Sequence, residues 1–423
     1  MDASKSHDMI RISAIGDADF KTIASAVEVN PKEIIVDGGE YTADNPPIFD
    51  GISATILGGT YNTSVCGGHH LKDNSEKTAK QILRKLTHTC RKTVIGAADT
   101  PQDNTLVISG GTFNKLVFAG DRIDSDSPVV RYGDISMLIT GGLFLNAVAA
   151  GGAHTYKGDC PEKYTIAGNV SLTITGGLFM DVNRKGCVYG GCLGIPSELA
   201  EYTTIRGNVT VKIDTSAKPF LSNIILGSYG QGKITGDAEL IIMGKGDLNV
   251  SGIILGSSYS DTIHCNPDLI KPKTSIRGKR ILTFSAFYGE VKCHAIRAFS
   301  EVAFKDGSEV TIKNRPLAEM DKVEKWTFEY GCMVEADFEN DFAGKTLNLV
   351  GYPAGDHTIL SSAEAKTFTG FGMLKVILLN GSPVTAKYDD EKKAYRLSNG
   401  SLLALVEDAD TGITAMVHSK GEE

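Results

Sequence analysis

The chain is short of several things that usually announce a function. No CxxC pair occurs among its eight cysteines, which argues against a zinc ribbon, and eight thiols in 423 residues are too sparse for a disulfide framework. Its apolar runs, such as 222–226 and 376–379, fall far below the roughly 20 residues a membrane-spanning helix needs. The opening MDASKSHDMI carries no apolar signal-peptide core, so the chain is expected either to be intracellular or to start after processing. A helix-borne HExxH, a Walker loop, a G-x-S-x-G elbow and a GxGxxG fingerprint are all missing. With 13 prolines, one tryptophan and no three-residue period, it is not collagen-like despite 47 glycines. A net charge of −8 opposes general binding to nucleic acid, since most of the surface would repel a polyanion.

What the chain has in plenty is glycine in a repeated phrase: Gly-Gly-x-aromatic, a few residues, a short apolar run and a small residue. It reads GGTYNTSVCGG from Gly58, GGTFNKLVFAG from Gly110, GGLFLNAVAAGG from Gly141 and GGLFMDVNRKGCVYGG from Gly176. Worn copies begin at Asp214 and Met243. Before each Gly-Gly corner stands an alternating strand, as in NVSLTI, where Val170, Leu172 and Ile174 alternate with Ser171 and Thr173. One such unit cannot bury its apolar face alone, so successive copies must stack around a shared core. Phe113, Phe144 and Phe179 should then be buried at equivalent positions.

The expected fold is all-β: a right-handed parallel β-helix, its hand following the rule for parallel crossovers. Residues 1–50 form an N-terminal cap and first strand, 51–313 the coils with loop inserts, and 314–423 a C-terminal β-rich capping region. In the cap, a helix is expected from Phe20 to Val29, with Asp19 as N-cap, Pro31 as stop, and Phe20, Ile23, Ala24 and Val27 on one face. Inserts are expected to leave each coil from one corner and so to line up on one side. The longest, from Leu71, has seven Lys or Arg against two acids. It is either a solvated helix face or a basic wall, Lys77 to Lys92, beside a groove for an acidic polymer.

The opening fifty residues, with helix, strand and G-x-Y turn, resemble the start of parallel β-helix proteins of the pectin esterase and pectate lyase kind. The central phrase resembles the GGTF…VYGGG repeats of bacterial cell-surface and secreted β-helix proteins. The tail, with its D-H-T-I-L, is similar to the end of autotransporter-type passenger regions. These resemblances imply a β-helix that is extracellular or held at a cell surface.

Residues just beyond each second apolar run should stack into a stripe: His69 and His70, Asp121 and Arg122, His154 and Tyr156, Tyr229, then Tyr259 with His264. An aromatic face packs on a sugar ring, Arg neutralises a uronate, and His or Tyr moves a proton. Arg122, His154, Tyr156, Tyr229 and Tyr259 are therefore candidates for binding an extended, acidic polysaccharide. Polar turn residues of a solenoid are the plainer explanation. For catalysis the candidates are His70, Arg122, Arg131 and His154, as base and cation of a metal-free lyase. Paired carboxylates for hydrolysis and clustered Asp and Glu for calcium are not apparent. No metal or cofactor is expected. His69 and His70 are a weak metal signal, because neighbours on a strand point to opposite faces. Cys187 and Cys192 could bridge or simply line adjoining positions.

Overall fold

The computed structural model describes residues 8–13, 22–72, 93–125, 127–155, 163–180, 187–195, 201–230, 232–258, 276–312, 320–336, 340–353, 355–361, 368–391, 394–397, 402–408 and 412–418. Their regular structure is almost all strand, and most strands pair in parallel between successive coils. The fold is a parallel β-helix, as the alternation and the Gly-Gly corners require. No helix among the described residues is long and apolar enough to cross a membrane. The chain divides into two compact units. The first holds Met1–Lys212, Pro219–Ala238 and Ser257–Gly278; the second holds Ile213–Lys218, Glu239–Gly256 and Lys279–Glu423.

In the first unit a complete coil has five short strands. The coil from Ile135 runs Ile135–Ile139, Leu143–Phe144, Val148–Ala149, Ala153–His154 and Tyr164–Ile166. In its long strand Ile135, Met137 and Ile139 are buried while Ser136 and Leu138 face outward, which is the period of two that the sequence carries. The long strands stack in register from Met9–Ile12 through Glu33–Val36, Ser53–Ile56, Asn104–Ile108, Ile135–Ile139 and Val170–Ile174. The corner before the long strand is stitched by a side-chain ladder. Asp103 Oδ1 accepts from the Asp134 N–H at 2.8 Å, Asp134 Oδ1 from Asn169 at 2.7 Å, Asn169 Oδ1 from Asn208 at 2.9 Å and Asn208 Oδ1 from Asp237 at 3.0 Å. Each carboxylate or amide thus satisfies a backbone donor of the next coil, as an N-cap does for a helix.

The Gly-Gly corner is a steric requirement. A Cβ on Gly141 would sit 2.4 Å from the Ser109 carbonyl oxygen of the coil below, and Gly142 has φ +111°. Past the corner the aromatic residues stack: Tyr41, Tyr61, Phe113, Phe144 and Phe179 lie at centroid spacings of 4.8, 4.7, 4.7 and 4.6 Å with planes within 9°. Phe113, Phe144 and Phe179 are fully buried at equivalent positions, and the two tyrosines extend the same column. Each tyrosine keeps its hydroxyl satisfied by donating to the glycine carbonyl three residues before it, at 3.0 Å.

Three features differ from expectation in detail. The N-terminal helix is one short turn, Ile23–Val27, capped by the Thr22 hydroxyl, which accepts from Ser25 N–H at 3.1 Å. Its buried pair is Ile23 and Ala26, and Ala24 is exposed; Asp19 and Phe20 lie outside the described residues. The inserts 73–92, 156–162 and 196–200 follow the fourth strand of their coils, whereas 181–186 falls between the second and third. Cys66, Cys187, Cys192, Cys293 and Cys332 are free thiols, so Cys187 and Cys192 do not bridge. Cys187 instead accepts from Asn223 Nδ2 at 3.3 Å.

In the second unit the parallel ladder runs on past residue 314. Ile281 to Ser285 pairs with Glu301–Lys305, then come Lys325–Glu329, Thr346–Val350 and Val376–Leu379. Its inward residues are again large: Phe284, Phe304 and Phe328 stack at 5.2 and 5.3 Å, with buried Trp326 beside them. The ladder stops where Asn380 and Gly381, both with positive φ, turn the chain into an antiparallel hairpin with Ser382–Val384. Pro383 on that last strand lacks a donor and so blunts the edge. A five-stranded antiparallel sheet made of Gly355–Leu360 and the strands between Ala386 and His418 completes the unit.

Candidate functional site

The fourth strands of the first unit bring the predicted stripe into register. His70 pairs with Arg122, Arg122 with Ala153, Ala153 with Leu193, and Leu193 bridges to Tyr229. One row therefore carries His70 and Arg122 on adjacent coils and Tyr229 three coils further, with buried Ala153 and Leu193 on the coils between. His154 stands one residue further along, in the row of Leu71, Ile123 and Gly194. A shift of one residue on a strand reverses the side chain. His154 accordingly points into the core, fully buried, with its ring 6.0 Å from that of Tyr202. Tyr229 is half-buried and meets Tyr189 edge-on at 5.6 Å. Tyr156, Tyr259, His264 and the basic insert lie outside the described residues.

His70 and Arg122 share a carboxylate. Asp124 Oδ2 lies 3.7 Å from His70 Nε2 and 3.6 Å from Arg122 Nη2. Asp124 was not among the predicted site residues, yet it follows Arg122 by two and so shares its face of the strand. His70 beside it, helped by Arg122, holds its carboxyl below the usual range against the opposing effect of burial. The His70 side chain is 10% exposed and that of Arg122 31%. Lys72, in register with Asp124, is exposed at the rim. This arrangement leaves a partly open guanidinium beside an imidazole whose two ring nitrogens are buried, so Arg122 is the group suited to contacting an anionic ligand.

Beneath the row lies a second cluster that positions it. Asp121 immediately precedes Arg122 and is fully buried. Its Oδ1 accepts from Arg131 Nη1 at 2.8 Å and from the His69 backbone N–H at 2.9 Å, with His69 Nδ1 at 3.3 Å; its Oδ2 accepts from the Tyr164 hydroxyl at 2.9 Å. Arg131, named above as a catalytic candidate, is fully buried as the partner of this carboxylate, and its other amino group donates to the Gln102 carbonyl at 3.0 Å. It occupies an inward position where the neighbouring coils place Ile95 and Ile166. Burial alone would raise the Asp121 pKa, but His69 and Arg131 together outweigh it and hold the carboxyl below the usual range. Gly152 makes the arrangement possible, because a Cβ there would come within 2.8 Å of the Tyr164 ring. The hub fixes the backbone at His69 and Asp121 on adjacent coils, and each immediately precedes a member of the surface row.

Among the described residues no group of three or more His, Cys, Asp or Glu is placed to hold a metal ion. No protein-family model, curated protein or solved structure matches this chain.

Proposed function

We propose that this chain is a secreted or cell-surface β-helix protein that binds an extended, acidic polysaccharide along the row of His70, Arg122 and Tyr229. The observation that carries the reading is the register of that row: a cation and an imidazole on adjacent coils, and a tyrosine three coil steps beyond Arg122. At ~4.8 Å per coil the row spans a distance that suits a polymer better than a small metabolite. Arg122, steadied by Asp124 and partly exposed, would take a carboxylate or sulfate, and Tyr229 would contact a sugar further along. The local groups are basic on balance, with Arg122 and Lys72 against Asp124, although the whole chain is acidic.

A second reading makes the same row catalytic, as a metal-independent lyase or hydrolase of an acidic glycan. It rests on His70, whose buried ring nitrogens make no hydrogen bond while a carboxylate lies 3.7 Å away, and it requires the ring to turn outward to reach a substrate. In that case His70 would take the proton beside a uronate carboxylate and Arg122 would steady the charge that develops.

Affinity electrophoresis of the full chain through gels containing polygalacturonate or alginate tests the binding reading. Arg122→Ala should weaken retention roughly tenfold, as loss of one charged hydrogen-bonded contact would, and leave the melting temperature unchanged. Retention equal to that of the native chain would overturn it. An ultraviolet-absorbing unsaturated product, lost in His70→Ala, would decide for the lyase.

A further inference from the structure

A second surface site lies in the other unit, independent of the row just described. Tyr330 follows the strand Lys325–Glu329 and is 50% exposed. Its backbone N–H donates to the Val350 carbonyl at 2.7 Å, which ties it to the next coil. Tyr352 lies just past that coil's strand, after Gly351 with φ +74°. His357 comes from the strand Gly355–Leu360, with its Nε2 3.2 Å from the Pro353 carbonyl oxygen. The three rings meet mutually: Tyr330 to His357 at 5.2 Å and 81°, Tyr330 to Tyr352 at 5.7 Å and 71°, and Tyr352 to His357 at 5.6 Å and 64°.

Two rings standing at steep angles to a third restrict its rotation while leaving half of it to solvent. An exposed tyrosine normally gains little from such support. The cluster does supply a preordered aromatic surface, whose ordering cost is met before any ligand arrives. Its polar margin is the phenolic hydroxyl of Tyr330. A flat apolar ring with a hydrogen-bonding group at its edge complements the carbon–hydrogen face and hydroxyl rim of a pyranose. The rings pack too closely on one another to surround a cation, and a nucleic acid base would bring a backbone that a chain of net charge −8 repels.

We propose that Tyr330, locked by Tyr352 and His357, is a stacking platform for one pyranose ring of a neutral glycan.

The test is affinity electrophoresis of the full chain through gels of soluble xylan, mannan or laminarin. The native chain should be retarded by at least one of them. Tyr330→Ala should lose at least fivefold in apparent affinity with an unchanged melting temperature, because the side chain is half exposed. Tyr330→Trp should restore retention, since it keeps the stacking face without the hydroxyl. His357→Ala, which frees the ring but leaves it present, should weaken retention by a smaller factor. Arg122→Ala should have no effect here, so failure of the acidic-glycan row and failure of the platform are read separately. Absence of retardation in all three gels, or equal retardation of Tyr330→Ala and the native chain, would overturn the proposal.

Discussion

Asp121→Ala is expected to destabilise the first unit by about 3–5 kcal/mol, the usual consequence of removing one partner from a buried ion pair. The change strands the Arg131 guanidinium at zero exposure and takes the acceptor from the Tyr164 hydroxyl and the His69 N–H at once. A double variant, Asp121→Leu with Arg131→Met, should recover part of the loss, because both charges leave together while the two neutral donors stay unsatisfied. The sign of the pH dependence follows from the depressed Asp121 pKa. Its contribution is fully present above the unfolded carboxylate pKa of about 3.9 and is lost as pH falls through the lower folded value. Denaturant titration of the native chain and both variants between neutral and acid pH checks this. An Asp121→Ala midpoint equal to the native one would show that the hub does not hold the coils.

Phe144→Ala should cost about 3–5 kcal/mol, the range for truncating a buried aromatic. Phe144 is the fourth of five stacked rings, between Phe113 at 4.7 Å and Phe179 at 4.6 Å, so its removal opens a void on both sides. Rings above and below are held by the register of their own strands and cannot close the gap. Phe144→Tyr should be tolerated far better. Tyr61, equally buried in the same column, donates its hydroxyl to the Gly58 carbonyl three residues before it, and Gly141 stands in that place before Phe144. Equilibrium unfolding followed by circular dichroism would measure both, and an unaltered curve for Phe144→Ala would count against a continuous stack.

The coils could be read from the sequence because their two determinants are local. Alternation over five residues marks the long strand, and Gly-Gly marks a corner where the backbones of adjacent coils approach within 3 Å of a would-be Cβ. Beyond residue 314 the strands keep their inward apolar pairs, Trp326 with Phe328 and Leu347 with Leu349, but lose the Gly-Gly-aromatic phrase. The pairing persists there without the phrase that revealed it. For the site, His70, Arg122 and Tyr229 were found because each follows a recognisable apolar run. The facing of His154 depends on register to a single residue: counted from the third strand, Ala153 and not His154 stands level with Arg122. The partnership of Asp121 and Arg131 joins two strands of one coil across the core. Its available signal was Arg131 itself, a charge in the inward place of an isoleucine. The cluster of Tyr330, Tyr352 and His357 draws on three segments spread over 28 positions, and no pattern in the sequence links them.

The central claim, an acidic glycan held along the row of His70, Arg122 and Tyr229, is tested most directly by calorimetric titration of the full chain with polygalacturonate and alginate oligomers at two salt concentrations. The account predicts saturable binding to at least one of them, weakened by added salt, reduced in Arg122→Ala and Tyr229→Ala, and unchanged in Tyr330→Ala. No binding at low salt, or binding that survives both Arg122→Ala and Tyr229→Ala, would contradict it.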